Sequence, residues 1–326
     1  MIITKTPFRM SFFGGGTDME SFFREYGGAV LSTTFDKYCY VNVRHLPPFF
    51  SYATELSYAK TERVNSLEEI EHPAIRNAMK MLDMHHIRLT YEADLPARSG
   101  LGTSSSFAVG MLNAFYALKG QYASKEKLAK EAIYLERVLC AEAGGWQDQV
   151  GGLAPGIKMV TSDAAIVQEI GCSPCSISTE TLQELNERFC LIYSGQRRLA
   201  RNLLRDIVSR YVSGNPDTVE VLYEIQRIAV LMRFELEKGN VDGFAQLLNQ
   251  HWELSRRLDG GCTNTCIDMI FSSVEDLIDG KMICGAGGGG FLQVILKKGV
   301  TVEQVQKRLR EVFQDSGVEV WRCSLV

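Results

Sequence analysis

No apolar run in the 326 residues reaches the length needed to cross a bilayer as a helix, which excludes a membrane-spanning helix. No long basic run occurs either, and the formal net charge is −4. The broad positive footprint of a nucleic-acid binder is therefore missing. The first residues, Met1-Ile2-Ile3-Thr4-Lys5-Thr6-Pro7-Phe8-Arg9, lack the charged-then-apolar layout of a signal peptide and read as a strand, so a cytoplasmic location is expected. A disulfide framework is not expected, because the cysteines number nine, an odd count in a long chain without a leader. Cys172 and Cys175, with Cys262 and Cys266, make a zinc site conceivable. The two pairs lie far apart and have no nearby His, so reduced thiols are the expectation. What is present is ordinary for a globular protein: 45% hydrophobic and 23% charged residues, in a chain long enough for two domains.

One stretch organises the rest: Asp94-Leu95-Pro96-Ala97-Arg98-Ser99-Gly100-Leu101-Gly102-Thr103-Ser104-Ser105-Ser106, running straight into Phe107-Ala108-Val109. It reads as a strand end, a small-residue loop and the start of an apolar helix. Gly100 and Gly102 free the backbone and allow a ligand to approach closely. Thr103 to Ser106 offer hydroxyls and a candidate N-cap. A helix N-terminus suits an anion such as a phosphate. The plainer explanation is a capped helix after a tight turn, but one cap would not need four hydroxyl residues. No Lys follows Gly102, so this is not a Walker A loop, and it is not G-x-G-x-x-G.

Strand-like runs cover Ile2 to Met10 and Ala29 to Leu46. Between them Gly14-Gly15-Gly16-Thr17-Asp18 marks a loop whose backbone faces something, and Met19 to Tyr26 reads as a short helix. Asp18 suits either a ligand or a helix cap. Arg44 to Glu69 has no clear period. Glu68 to Met84, Phe107 to Leu118 and Ser124 to Ala143 read as helices, and Ile87 to Tyr91 as a strand. The helix at Ser124 leads into Gly144-Gly145-Trp146-Gln147-Asp148-Gln149-Val150-Gly151-Gly152, a polar cluster framed by glycines. Glu136 on that helix and Asp148 on the loop after it suit one cavity, one carboxylate holding Mg²⁺ and the other orienting a hydroxyl. The plainer alternatives are a solvated helix face and a turn Asp.

Beyond residue 180 the pattern becomes helix Thr179 to Glu187, strand Phe189 to Tyr193, and helices Leu199 to Val212, Thr218 to Gly239 and Val241 to Arg257. Arg197, Arg198 and Arg201 suit a substrate phosphate or carboxylate as well as they suit a charged helix face. His251, in mid-helix, reads as a packed histidine more readily than a catalytic one. Gly285-Ala286-Gly287-Gly288-Gly289-Gly290 joins two strands, and helix Val302 to Phe313 and strand Val318 to Cys323 follow. That order suits a split βαβ, ferredoxin-like sheet. The glycine loop can cover phosphates or meet the first glycine loop across a cleft.

These motifs together resemble the GHMP kinases. Pro96, Gly100, Leu101, Gly102 and Ser104 match the P-x-x-x-G-L-G-S-S nucleotide loop, with Thr103 replacing a Ser. Pro7, Arg9, Gly15, Thr17 and Asp18 resemble the galactokinase-type first motif, and Gly285 to Gly290 the third. The G-G-G-T-D run is similar to D-glycero-D-manno-heptose 7-phosphate kinases. The stretches Gly144 to Lys158 and Arg198 to Leu204 are similar to the kinase domain of L-fucokinases, which usually carry Trp where this chain has Gly16.

The resemblance implies an α+β, two-domain GHMP fold. Residues 1–178 would form a ribosomal protein S5 domain 2-like unit with a left-handed crossover, and residues 179–326 a ferredoxin-like unit. It implies ATP and Mg²⁺ as cofactors and a sugar or sugar phosphate as the partner, with a homodimer left open and neither nucleic acid nor membrane involved. Asp148 would take or orient the hydroxyl proton, with Arg9 beside it stabilising charge. Pro96, Ser99, Gly100, Leu101, Gly102, Thr103, Ser104 and Ser105 would hold ATP, and Ser104 and Glu136 would ligate Mg²⁺. Gly15, Gly16, Thr17, Asp18, Gly145, Asp148, Arg198, Gly287 and Gly288 would line the sugar site. Phosphorylation of an anomeric hydroxyl follows, with heptose 7-phosphate ahead of L-fucose because the arginine cluster suits a distal phosphate. A diphosphate-dependent decarboxylase and a non-catalytic binding protein of the same fold stay open. The sugar-type first motif speaks against the former, and the intact Asp148 and glycine loops against the latter.

Overall fold

A computed structural model describes residues 1–97, 99–164, 169–196 and 203–325. The first half runs β1 (Ile2–Phe13), α1 (Glu20–Tyr26), β2 (Gly28–His45), β3 (Thr54–Ser57), β4 (Thr61–Val64), α2 (Pro73–Met81), β5 (Ile87–Ala93), α3 (Thr103–Leu118), α4 (Lys125–Ile133), a π-helical turn (Tyr134–Leu139), α5 (Gln147–Gly151), β6 (Lys158–Ser162) and β7 (Ile170–Pro174). The second half runs α6 (Thr179–Arg188), β8 (Phe189–Ser194), α7 (Leu203–Val212), α8 (Pro216–Glu237), α9 (Val241–Leu258), α10 (Thr265–Val274), β9 (Ile278–Ile283), β10 (Phe291–Leu296), α11 (Val302–Phe313) and β11 (Val318–Trp321). None of the described helices is long and apolar enough to cross a membrane.

Among the described residues, one sheet has the order β4-β3-β5-β2-β6-β7, with β1 also pairing β2. β2 organises it: its first residues pair β6, its last pair β5, and β1 runs antiparallel along most of its length. Register shifts interrupt the β1–β2 ladder between Pro7 and Arg9 and between Ser11 and Phe13. Bulges of this kind re-aim side chains. Here Phe8, Arg9 and Met10 are buried in succession instead of alternating. The second sheet has the order β11-β8-β10-β9, all antiparallel. That is the 4-1-3-2 order of a ferredoxin-like sheet, with α7 to α10 forming the first crossover in place of one helix. One apolar core joins the halves, since Phe8, Phe12 and Leu31 cluster with Leu191, Phe291 and Phe244.

Several sequence expectations need correction. The predicted helix Ser124–Ala143 is α-helical only to Ile133; it then widens into the π-turn and ends at Leu139. Asp148 stands in the first turn of α5, not on a loop. The region Glu68–Met84 is a single 3₁₀ turn at Leu67–Glu69 followed by α2, which starts where Pro73 is tolerated at the first helical position. The aperiodic stretch before it holds the β3–β4 hairpin, too short for a period to show. β6, β7 and α10 carried no assignment. The start proposed for the helix at Leu199 lies outside the described residues, as do Arg98, Arg197, Arg198 and Arg201.

Candidate active site

A cavity of about 650 Å³ opens between the sheets. Arg9 and Ser11 of β1, Gly15, Gly16 and Asp18 of the first glycine loop, Gly100, Gly102, Thr103 and Ser104 of the second, and Gly285 and Ala286 of the third all line it. So do Arg137, Gly145, Gln147 and Asp148. Motifs at the two ends of the chain and in its middle thus meet at one place.

At the centre, Arg9 and Asp148 form an ion pair. Arg9 is 4% exposed and is aimed by the bulge that precedes it. Gly102 makes room for it: a Cβ there would lie 3.0 Å from Arg9 Nε. Gly102 is also the residue before α3, in the left-handed region at φ 69°, and no side chain caps the helix. The hydroxyls expected to cap it point elsewhere. Ser104 and Ser105 donate to Glu136 at 3.0 and 2.7 Å, and Ser106 donates to the Pro7 carbonyl at 3.1 Å. The first N–H groups of a 16-residue helix are left without side-chain caps beside the cavity, the arrangement that suits a phosphate.

Glu136 is 2% exposed and also accepts from Gln149 Nε2. Burial pushes its carboxyl above the usual range. Among the described residues no group of three His, Cys, Asp or Glu gathers as a metal cage. Mg²⁺ usually takes one or two protein oxygens and fills its remaining positions with phosphate and water. Ser104 Oγ and Glu136 Oε1, adjacent at 3.0 Å, fit that requirement as a hydroxyl and a carboxylate.

A Glu136→Gln variant tests the electrostatics. The buried carboxyl stabilises the fold fully below its ordinary value of 4.5, and that contribution is lost as pH rises through its raised value. Metal-free Glu136→Gln should therefore gain thermal stability relative to the parent as pH rises from 4 upward. The two melting curves, followed against pH, check this. A difference that does not change with pH would contradict it.

Asp18 is 1% exposed. Its Oδ1 accepts from Gly16 N at 3.1 Å and Gln147 Nε2 at 3.0 Å, and its Oδ2 accepts from Gln147 N at 3.1 Å. Burial raises its pKa, and the nearby Asp148 carboxylate adds to the shift. Ser11 Oγ donates to Gln147 Oε1 at 2.6 Å, which turns the Gln147 amide nitrogen toward Asp18. Gly145 is needed for this packing, because a Cβ there would fall 1.9 Å from Asp18 Oδ2. Arg137 donates from Nε to the Gly145 carbonyl at 3.0 Å and holds that turn against the site.

Other predicted residues stand outside the cavity wall. Thr17 is fully buried, and its hydroxyl bridges the Gly14 and Ala29 carbonyls at 2.8 and 3.1 Å, tying the first loop to β2. Leu101 is a core residue, Ser99 is buried, and Pro96 is half-buried before them. Ser105 faces Glu136. Gly287 and Gly288 pack on Cys262, whose carbonyl accepts from Gly288 N at 2.8 Å. The third loop meets the second directly, since a Cβ on Gly100 would lie 2.4 Å from the Cys284 carbonyl oxygen. The sequence reading assigned no role to Ser11, Arg137 or Gln147. The last two adjoin Glu136 and Asp148, and that adjacency was the available signal.

The two carboxylates, two guanidinium groups and bare helix N-terminus can position an anion beside a hydroxyl and carry a proton away from it. Residues 68–154 match the GHMP kinases N terminal domain. The chain is 32% identical over 233 residues to a bifunctional fucokinase/GDP-fucose pyrophosphorylase of Arabidopsis thaliana, covering 72% of this chain and 22% of that protein. It is 25% identical over 345 residues to a D-glycero-alpha-D-manno-heptose 7-phosphate kinase of Campylobacter jejuni, covering 98% of this chain and 99% of that one. The crystal structure of a D-glycero-D-manno-heptose 1-phosphate kinase from Bacteroides thetaiotaomicron superimposes with a TM-score of 0.77 at 19% identity, over 100% of this chain and 96% of that one. The chain spans about a quarter of the length of the bifunctional fucokinase relatives it matches.

Proposed function

Because residues 68–154 carry the N-terminal domain of the GHMP kinases, we propose that this chain is an ATP-dependent kinase that phosphorylates the anomeric hydroxyl of a sugar. The observation that carries the reading is the Arg9–Asp148 pair, set in one cavity with Asp18 and the uncapped start of α3. Asp148 orients the acceptor hydroxyl and takes its proton as the oxygen attacks. Arg9 keeps that carboxylate in place and offsets the negative charge that builds on the transferring group. The N–H groups of Thr103 to Ser105 receive the phosphates of ATP. Ser104 and Glu136 would hold Mg²⁺, which would supply charge neutralisation when bound. Asp18, fixed by Gln147, accepts hydrogen bonds from sugar hydroxyls. We also propose a domain boundary between residues 178 and 179, a reading supported by the end of β7 at Pro174 and the N-cap of α6 at Ser178.

For the acceptor we propose D-glycero-D-manno-heptose 7-phosphate, converted to the 1,7-bisphosphate on the way to a nucleotide-activated heptose. The end-to-end match to the Campylobacter jejuni protein supports it, as does the Arg197, Arg198 and Arg201 cluster in the sequence. A second reading, L-fucose, is favoured by a specific feature of the cavity. Met19, Ile207, Ile225 and Leu258 give it an apolar wall that suits the methyl group of a 6-deoxy sugar. The arginines lining it among the described residues, Arg9 and Arg137, already have protein partners.

Initial rates of ADP release decide between them, with heptose 7-phosphate, mannose 6-phosphate and L-fucose on the parent and on Arg198→Ala. The heptose reading expects turnover of phosphorylated sugars and a raised KM in the variant. Turnover of L-fucose alone replaces it with the fucokinase reading. Chelation of Mg²⁺ should abolish the rate, and its return should restore it.

A further inference from the structure

His251 is the mid-helix histidine whose sequence position suggested only packing. It lies on α9, is 3% exposed and lines the same cavity, with Ser255 one turn further along. Its ring stacks on Phe13 with centroids 3.7 Å apart and planes tilted by 30°. Phe13 ends β1 and leads directly into the glycine loop that carries Asp18, so the imidazole stands at the first-loop side of the cavity.

Its Nδ1 is buried and has no partner in the protein. Among the described residues lining the cavity, Arg9 Nε and His251 Nδ1 are the buried side-chain polar atoms left in that condition. The Arg9 guanidinium is engaged by Asp148 through a terminal nitrogen, although its Nε is not, whereas the His251 ring has no side-chain hydrogen-bond partner among the described residues. A purely packing role against Phe13 is served better by a phenyl or aliphatic group, because a buried polar atom without a partner destabilises the fold. Burial also keeps the ring uncharged, with its pKa lowered to about 3.

We infer that His251 is a specificity residue for the acceptor, its imidazole on the cavity wall hydrogen-bonding one free hydroxyl of the bound sugar. This rests on the sugar-kinase reading above. A hydroxyl both donates and accepts, so it satisfies either tautomer of a neutral imidazole. A methyl group satisfies neither. A fully ionised phosphate oxygen satisfies only a protonated nitrogen. This part of the cavity therefore holds the hydroxyl-bearing face of the ring, and the sugar's methyl or distal phosphate points away from it.

The test uses the full chain in two measurements. ¹⁵N ring resonances are followed while L-fucose, mannose 6-phosphate or heptose 7-phosphate is added. The chain has five histidines, and the difference spectrum of His251→Phe assigns the relevant one. A sugar that is turned over should shift the His251 ring nitrogens, and a non-hydrolysable ATP analogue alone should not. His251→Phe keeps the stack on Phe13 and should raise KM for the sugar by about 10-fold or more, with a much smaller change in KM for ATP. His251→Asn, which returns a polar atom near Nδ1, should recover part of the loss. Ring nitrogens unmoved by every sugar would overturn the inference, as would an unchanged sugar KM in folded His251→Phe. Failure of the kinase reading looks different: no sugar on the panel then releases ADP from the parent protein. The difference spectrum of His251→Asn gives the same assignment, so the NMR measurement does not depend on His251→Phe folding.

Discussion

Asp148→Asn is expected to lower kcat by about 10²- to 10⁴-fold while leaving the affinity for a non-hydrolysable ATP analogue near that of the parent. Asparagine keeps the shape of the side chain in the first turn of α5 but cannot take the proton of an attacking hydroxyl. It also leaves Arg9, 4% exposed, facing a neutral amide where it had an ionic partner. The side chain of Asp148 is 26% exposed, so water softens that loss. A charge-assisted hydrogen bond of this kind contributes about 1.5–3 kcal/mol, and urea melts should show a decrease no larger than that. Stability and rate then separate cleanly: a folded variant with a rate within tenfold of the parent would remove Asp148 from proton transfer. Arg9→Ala should reduce kcat comparably, and with a greater loss of stability, since it leaves a cavity behind the carboxylate.

Gly102→Val should lower both ATP affinity and kcat. Two effects act at one residue. The left-handed backbone at φ 69° costs a residue with a Cβ about 1–2 kcal/mol, and a β-branched one more. The Cβ would also sit 3.0 Å from Arg9 Nε and 3.1 Å from its Cγ, so the branch displaces the guanidinium from Asp148. Gly102→Ala separates the two, because it carries the backbone strain with a smaller clash. Calorimetry with the ATP analogue should rank the affinities Gly above Ala above Val. Equal affinities in folded variants would place the nucleotide elsewhere in the molecule.

The parts of this site that the sequence made legible are those with local chemistry. Gly100-Leu101-Gly102 and the hydroxyls behind it announced a helix start, and Gly144 to Gly152 announced a polar cluster framed by glycines, though not that Gln147–Gly151 form a helix. The 4-1-3-2 sheet was readable because its strands flank a glycine loop and an amphipathic helix with ordinary periods. What could not be read depended on distance. The serines behind Gly102 looked like caps, because capping is local. That two of them bind Glu136 requires the π-turn that brings Glu136 across to α3. Thr17 looked like a ligand because it adjoins Asp18, yet the fold spends its hydroxyl on the Gly14 and Ala29 carbonyls. Gln147 gains a role only once Ser11, far away in the chain, fixes the direction of its amide. α10 is the exception. Ile267, Ile270, Phe271 and Val274 have helical spacing behind the cap residue Asn264, and that signal was there to be used.

The contact between the second and third glycine loops also sets an order in time. Ser99 offers its carbonyl to Phe291 N at 3.3 Å, and Gly100 lies against Cys284 and Gly285. During synthesis the whole first sheet has left the ribosome by Pro174, long before any of these later residues exist. Until Phe291 emerges, the turn before α3 lacks the contacts that Ser99 and Gly100 make with Phe291, Cys284 and Gly285, and Phe8, Phe12 and Leu31 lack the partners from β8, α9 and β10 that complete their core. On the kinase reading proposed above, nucleotide binding is therefore expected among the last properties the nascent chain acquires, and the apolar underside it shows in the meantime is the surface a chaperone would meet.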